Sequence, residues 1–116
     1  AGFRDLMVWQ KAKELAVEIY RISQSEHFCK ILVKGSDKKA AVSIPSNIAE
    51  GDERGSNKDS IRFFYISKGS LAEFQTQLEI ACEIGYLDRL KLKYLDEKCV
   101  TIGKMLGSLI KTRSMQ

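Results

Sequence analysis

The sequence predicts an all-α protein, an antiparallel up-down-up-down four-helix bundle, and three observations predict it. Four segments carry apolar residues at helical spacing, and no stretch alternates as a strand would. The segments are joined by turns that carry cap and breaker residues. The 116 residues are 44% hydrophobic with a single proline, which suits one domain over 1–116 with its own core. Consecutive helices on short turns lie antiparallel to their neighbours.

The first helix is expected from about Asp5 to Ser25. Val8, Trp9, Ala12, Leu15, Ala16, Ile19 and Ile22 form one apolar stripe. From His27 to Asp37 the period fails, and Gly35 interrupts it, so this stretch reads as a connection whose Ile31-Leu32-Val33 run covers the bundle end. The second helix is expected from about Asp37 to Glu53, with Ala41, Ile44, Ile48 and Ala49 inward. Pro45 lies within it. An interior proline removes a backbone donor and crowds the preceding turn, so either the helix bends near Ala41–Pro45 or it starts late, with Pro45 in its first turn and Ser43 as cap.

Arg54 to Asn57 ends that helix, with Gly55 placed for a left-handed terminus, and Ser56-x-x-Asp59 resembles a capping box. The third helix is expected from about Asn57 to Ile84, on Ile61, Phe64, Leu71, Phe74, Leu78, Ala81 and Cys82. Phe63, Tyr65 and Ile66 spread apolar surface around most of its circumference, which points to a subunit contact. Gly85 to Asp88 is a turn with Asp88 as cap. The fourth helix is expected from about Arg89 to Thr112, on Leu92, Leu95, Cys99, Ile102, Leu106 and Leu109, with Gly103 and Gly107 marking close approach of a neighbour.

The formal net charge is +4 and uneven. Leu87 to Gln116 holds seven bases and three acids, whereas Phe63 to Tyr86 holds one base, Lys68, and three acids. Such a balance is compatible with a solvated face or with an anionic partner. The three cysteines, Cys29, Cys82 and Cys99, form no CxxC, and Cys82 and Cys99 fall in apolar patterns as small core residues. His27 is the only histidine, no Glu-x-x-His occurs, and GDERG lacks the ending of a phosphate loop. The expectation is a protein without catalytic residues, metal or cofactor. No signal peptide and no bilayer-length apolar run is read, which with the cysteines suggests the cytoplasm.

Two polar patterns remain. Ser43, Asn47, Glu50 and Arg54 are spaced 4, 3 and 4 apart and share one stripe of the second helix, facing Arg62, Ser67, Ser70 and Glu73 on the third. They read as a hydrogen-bond network that sets register, or as a polar rim for a phosphate or partner. Arg54, Lys58 and Arg62 make a basic stripe across the turn, and Lys34, Lys38 and Lys39 add charge before the second helix. Basic side chains along one face suit a nucleic-acid backbone.

Phe3-x-x-Leu6-x-Val8-Trp9, Ala40-Ala41-Val42-Ser43-Ile44-Pro45-Ser46-Asn47-Ile48-Ala49-Glu50-Gly51, Arg62-Phe63 and Lys68-Gly69-Ser70-Leu71-x-Glu73 resemble the bacterial four-helix bundle proteins, also called 23S rRNA intervening-sequence proteins. The resemblance covers almost the whole chain. It implies a ring-shaped homopentamer without established enzyme activity. It also implies kinship with the accessory protein of diversity-generating retroelements, which partners a reverse transcriptase and binds nucleic acid, RNA or DNA. One departure stands out. The family's Gln-Leu/Ile-Arg-Arg run reads Ser36-Asp37-Lys38-Lys39 here, which keeps two charges but loses the planar fork of arginine.

Overall fold

The computed structural model describes residues 2–22 and 36–116. After a single 3-10 turn at Phe3–Asp5 come four helices: α1, Met7–Ile22; α2, Ser36–Asp52; α3, Asn57–Glu83; and α4, Arg89–Ser114. No strand occurs among the described residues. The connection expected over 27–37 lies outside them, with His27, Cys29 and the Ile31–Val33 run, except for Ser36 and Asp37, which already belong to α2.

Pairs of contacts fix the directions. Ser43 of α2 meets Ser70 of α3, while Gly51 lies against Phe63 and Phe64. Leu71 of α3 faces Gly103 of α4, while Gln75 bonds Asp96. Glu18 of α1 meets Tyr94 and Lys98 of α4, while Lys11 lies beside Thr101 and Ile102. Each helix therefore runs antiparallel to the next, and α4 closes the square onto α1. The molecule measures 46 × 20 × 20 Å, and the 27 residues of α3 alone account for about 40 Å of that length at the helical rise.

The expected stripes form the core. Leu15, Ile19, Ile44, Ile48, Phe64, Phe74, Leu78, Leu95, Cys99, Ile102 and Leu106 are the largest fully buried side chains. On α4 the last core position is Ile110 rather than Leu109, which is only partly buried. A straight helix repeats at 3.6 residues and not at 3.5, so a heptad count drifts by about 20° per heptad and leaves the buried face after Leu106.

The helix ends follow local chemistry. Ser56 caps α3, its Oγ accepting from Asp59 N at 3.2 Å, and Asp88 caps α4, accepting from Lys91 N at 2.8 Å. Asp59 does not complete a reciprocal box; its carboxylate pairs with Arg62. The left-handed terminus falls at Gly85, with φ of 87°, and not at Gly55. Gly85 N bonds Cys82 O and Tyr86 N bonds Ala81 O, the paired pattern that closes a helix on a left-handed residue. After α2 the chain instead tightens, with Arg54 N on Gly51 O, and is capped again at once by Ser56.

Pro45 is buried in the interior of α2, so the late start with Ser43 as cap does not occur. Side chains brace the turn around it. Asn47 Nδ2 donates to Ser43 O at 2.8 Å, and Ser67 Oγ donates from α3 to Ile44 O at 2.8 Å. Of the two α4 glycines, only Gly103 meets a neighbour, with an added Cβ 3.4 Å from Leu71 Cδ2; Gly107 faces open space.

The tight approach is at Gly51. A Cβ there would stand 2.8 Å from Phe64 Cε1 and 3.0 Å from Phe63 Cβ. Both rings are buried, so neither yields cheaply. Gly51→Ala is expected to cost about 1–3 kcal/mol in urea unfolding, whereas Gly107→Ala should stabilise by about 0.5–1 kcal/mol because nothing obstructs its methyl.

Candidate nucleic-acid interface at the helix 2–3 turn

The turn between α2 and α3 is built on Phe63. Gly51 lets α3 close in, which turns Phe63 inward and leaves it 8% exposed. Two guanidiniums cover what remains. Arg54 Cζ stands 4.4 Å and Arg62 Cζ 4.7 Å from the ring centroid. Arg54 arrives from the turn after α2 and Arg62 from the second turn of α3. The aromatic face attracts both cations and narrows their freedom.

Each arginine also holds one carboxylate. Arg54 Nη2 donates to Glu50 at 3.0 Å, and Arg62 Nε lies 3.5 Å from Asp59. These pairs are solvent-exposed and contribute at most about 1 kcal/mol each. Their other guanidinium N–H groups remain available, since 39% of the Arg54 side chain and 61% of the Arg62 side chain face solvent. Lys58 does not join them on the ring. It lines a groove with Asn57, Ile61 and Arg113, between the start of α3 and the end of α4. Three bases stand against Glu50, Glu53 and Asp59, so this corner orients its charges but carries no surplus of either sign.

The corner rests on a second pair. Arg113 Nη2 donates to Asp52 Oδ1 at 2.5 Å, with only 19% and 13% of the two side chains exposed. Its Cζ lies 5.4 Å from the Phe64 centroid. The bond joins the ends of α2 and α4 across the bundle and seals Phe64 from water.

The structure separates the other expected residues. Lys38 and Lys39 belong to the first turn of α2, and their side chains lie outside the described residues. Lys39 precedes Asp52 by 13 positions, so these lysines sit about 20 Å from the Phe63 corner, toward the opposite end of the bundle. The polar stripe divides in two. Ser43 Oγ bonds Ser70 Oγ at 2.9 Å and accepts from Asn47 Nδ2 at 2.8 Å, and together with Ser67 this forms a network inside the α2–α3 seam. Glu50 and Arg54 belong to the exposed corner. Ser43 and Asn47 thus set register, while Glu50 and Arg54 present charge.

Sequence spacing does not reveal the pairing of Arg54 with Phe63, because it crosses a turn where helical periodicity lapses. It likewise gives no sign of Asp52 with Arg113, which lie 61 positions apart. Burial, and then the Asp96 carboxylate, push the Cys99 thiol up to about 12. No group of three or more metal-ligating side chains occurs among the described residues, and no described helix is long and apolar enough to cross a membrane.

Fold and corner together define a small antiparallel helical bundle whose exposed site is made of oriented arginines. The model of the 23S rRNA-intervening sequence proteins matches residues 4–108, and the chain belongs to that family. It is also similar to a protein of unknown function from the S23 ribosomal protein family of Bacteroides thetaiotaomicron VPI-5482. That crystal structure, at 1.70 Å, aligns with a TM-score of 0.78 and 26% identity over 90% of this chain and 99% of the other. No curated protein matches it.

Two outcomes are expected here. Asn47→Ala removes both bonds to Ser43 and should lower the unfolding free energy by about 1–2 kcal/mol in chemical denaturation. Cys99 should resist an aromatic disulfide reagent at pH 8 until denaturant is added, because only a thiolate attacks. The sign of the linkage follows. A folded pKa above the unfolded value near 9 means that Cys99 stabilises fully below pH 9, and that this contribution fades as pH rises toward 12.

Proposed function

We propose that this protein is a non-enzymatic, self-associating helical module that binds the phosphate backbone of nucleic acid, RNA in the first instance, through Arg54, Lys58 and Arg62. The observation that carries the reading is the pair of guanidiniums stacked on Phe63, exposed yet oriented. Arginine forks suit phosphate oxygens, and an aromatic floor lowers the ordering cost of engaging them. The bases of the corner are balanced by Glu50, Glu53 and Asp59, so a single corner binds weakly and without base readout. Self-association multiplies it, because several corners then engage one polymer. Tyr65 and Ile66, 56% and 43% exposed beside the same corner, favour association.

The carboxylates at the corner, Glu50, Glu53 and Asp59, favour one other reading, an adaptor that docks a protein partner such as a reverse transcriptase. Salt separates the two. Binding to a single-stranded RNA should weaken steeply with salt. Changing Arg54, Lys58 and Arg62 to Gln should reduce both the affinity and the slope of log K against log salt, by about 0.7 for each phosphate no longer neutralised. Unchanged affinity and slope in a folded triple variant would reject the site. A wild-type protein that assembles but binds no RNA at low salt would favour the adaptor.

A further inference from the structure

The corner leaves the basic end of α4 unused. From Val100 to Gln116 there is no acidic residue. On α3, from Asn57 to Ala72, the one acid is Asp59, which Arg62 holds. Arg113 is likewise held by Asp52. Lys58, Lys68, Lys104 and Lys111 are left, all exposed and none in an ion pair among the described residues.

The fold gathers these four lysines along the seam between α3 and α4. Lys58 lines a groove of about 350 Å³ with Ile61 and Ser114, where the start of α3 meets the end of α4. Lys68 stands seven residues from Ile61 and seven from Gln75, which bonds Asp96 of α4, so it lies on the α4 side of α3. Lys104 and Lys111, seven apart, share one stripe of α4, and Gly107 between them leaves open space where a side chain would stand. From Ser114 to Lys104 the seam runs about 15 Å at the helical rise. Beyond Lys104 it meets Asp96, Glu97 and Glu79, and the basic stretch ends there.

We propose that the α3–α4 seam carries the sugar-phosphate backbone of the RNA strand onward from the corner, with Lys58 receiving it and Lys68, Lys104 and Lys111 neutralising its phosphates. This rests on the phosphate reading of the corner and extends it. The corner orients two guanidiniums but balances them with carboxylates, so it aligns a strand without attracting one. The seam supplies the surplus charge that attraction needs. Lys58 belongs to both, which makes the path continuous. A lysine is a point charge on a flexible stem, so the seam neutralises phosphates without choosing bases. The carboxylates at the far end of the seam repel phosphate and limit the path to the half of the bundle nearest the corner.

The test is fluorescence anisotropy of a labelled oligouridine of about a dozen nucleotides, with helical content by circular dichroism. Lys68→Gln with Lys104→Gln and Lys111→Gln should stay helical and lower the slope of log K against log salt by about 2, at about 0.7 for each lost contact. Raising salt from about 50 to about 200 mM should then weaken this variant about twenty-fold less than wild type. A control that removes three exposed bases elsewhere, Lys11→Gln with Arg89→Gln and Lys93→Gln, should keep the wild-type slope. A seam variant with the wild-type slope would overturn the path, and so would a control that falls as far. The variant of Arg54, Lys58 and Arg62 separates the two readings. Loss there with the seam variant unchanged keeps the corner and removes the seam; loss at the seam with the corner variant unchanged does the reverse. A wild type that binds no RNA at low salt overturns both. Polyglutamate that displaces the oligouridine as well as unlabelled RNA does would replace RNA by an acidic protein segment as the occupant.

Discussion

The structure depends on how closely α2 can approach α3. Small residues line the approach, with Ser43 bonded to Ser70 toward one end and Gly51 at the other, where an added methyl would reach 2.8 Å from a buried ring. Close approach lets side chains of one helix reach the backbone of the other. Ser67 is fully buried, and its hydroxyl reaches Ile44 O, the carbonyl just before Pro45. A proline in a helix interior costs about 3 kcal/mol when unsupported. Here the turn around it is braced by Ser67 from the neighbouring helix and by Asn47 from its own, so proline and seam are parts of one solution.

The same seam builds the exposed corner. With α2 held close, Phe64 enters the core and Phe63 is buried at the turn beneath two guanidiniums. Phe64 is covered by the Asp52–Arg113 bond, which ties the end of α4 into the site. Phe63 is covered by Arg54 and Arg62. Adjacent aromatics thus serve two purposes, one anchoring the bundle and the other aligning charge. A larger residue at position 51 would push α3 outward and disturb both.

Much of this was legible in the sequence, because it depends on periodicity. The four stripes located the helices to within about three residues, and Ser56 and Asp88 announced their caps. What was not legible depends on how separate elements meet. Gly55 and Gly85 are both glycines just past a helix, but only Gly85 takes the left-handed form; after α2, Ser56 caps the next helix at once. Gly103 and Gly107 share a spacing, yet only Gly103 faces a neighbour, Leu71, while an added methyl at Gly107 would meet open space. The polar stripe of α2 reads as one unit, but it divides where the helix leaves the seam: Ser43 and Asn47 turn inward, and Glu50 and Arg54 turn out. Lys38 and Lys39 read as a reinforcement of the basic stripe, but helical rise carries them to the other end of the bundle.

The central claim is that the α2–α3 seam holds two guanidiniums in place to meet phosphate. The most direct measurement is a titration of the assembled, isotope-labelled protein with a short single-stranded RNA, followed through the arginine Nε–H resonances by NMR. Arg54 and Arg62 should shift together and saturate at one RNA concentration, with Arg113 and Arg21 unmoved. Shifts confined to other arginines, or Arg54 and Arg62 resonances that stay fixed while RNA binds, would contradict it.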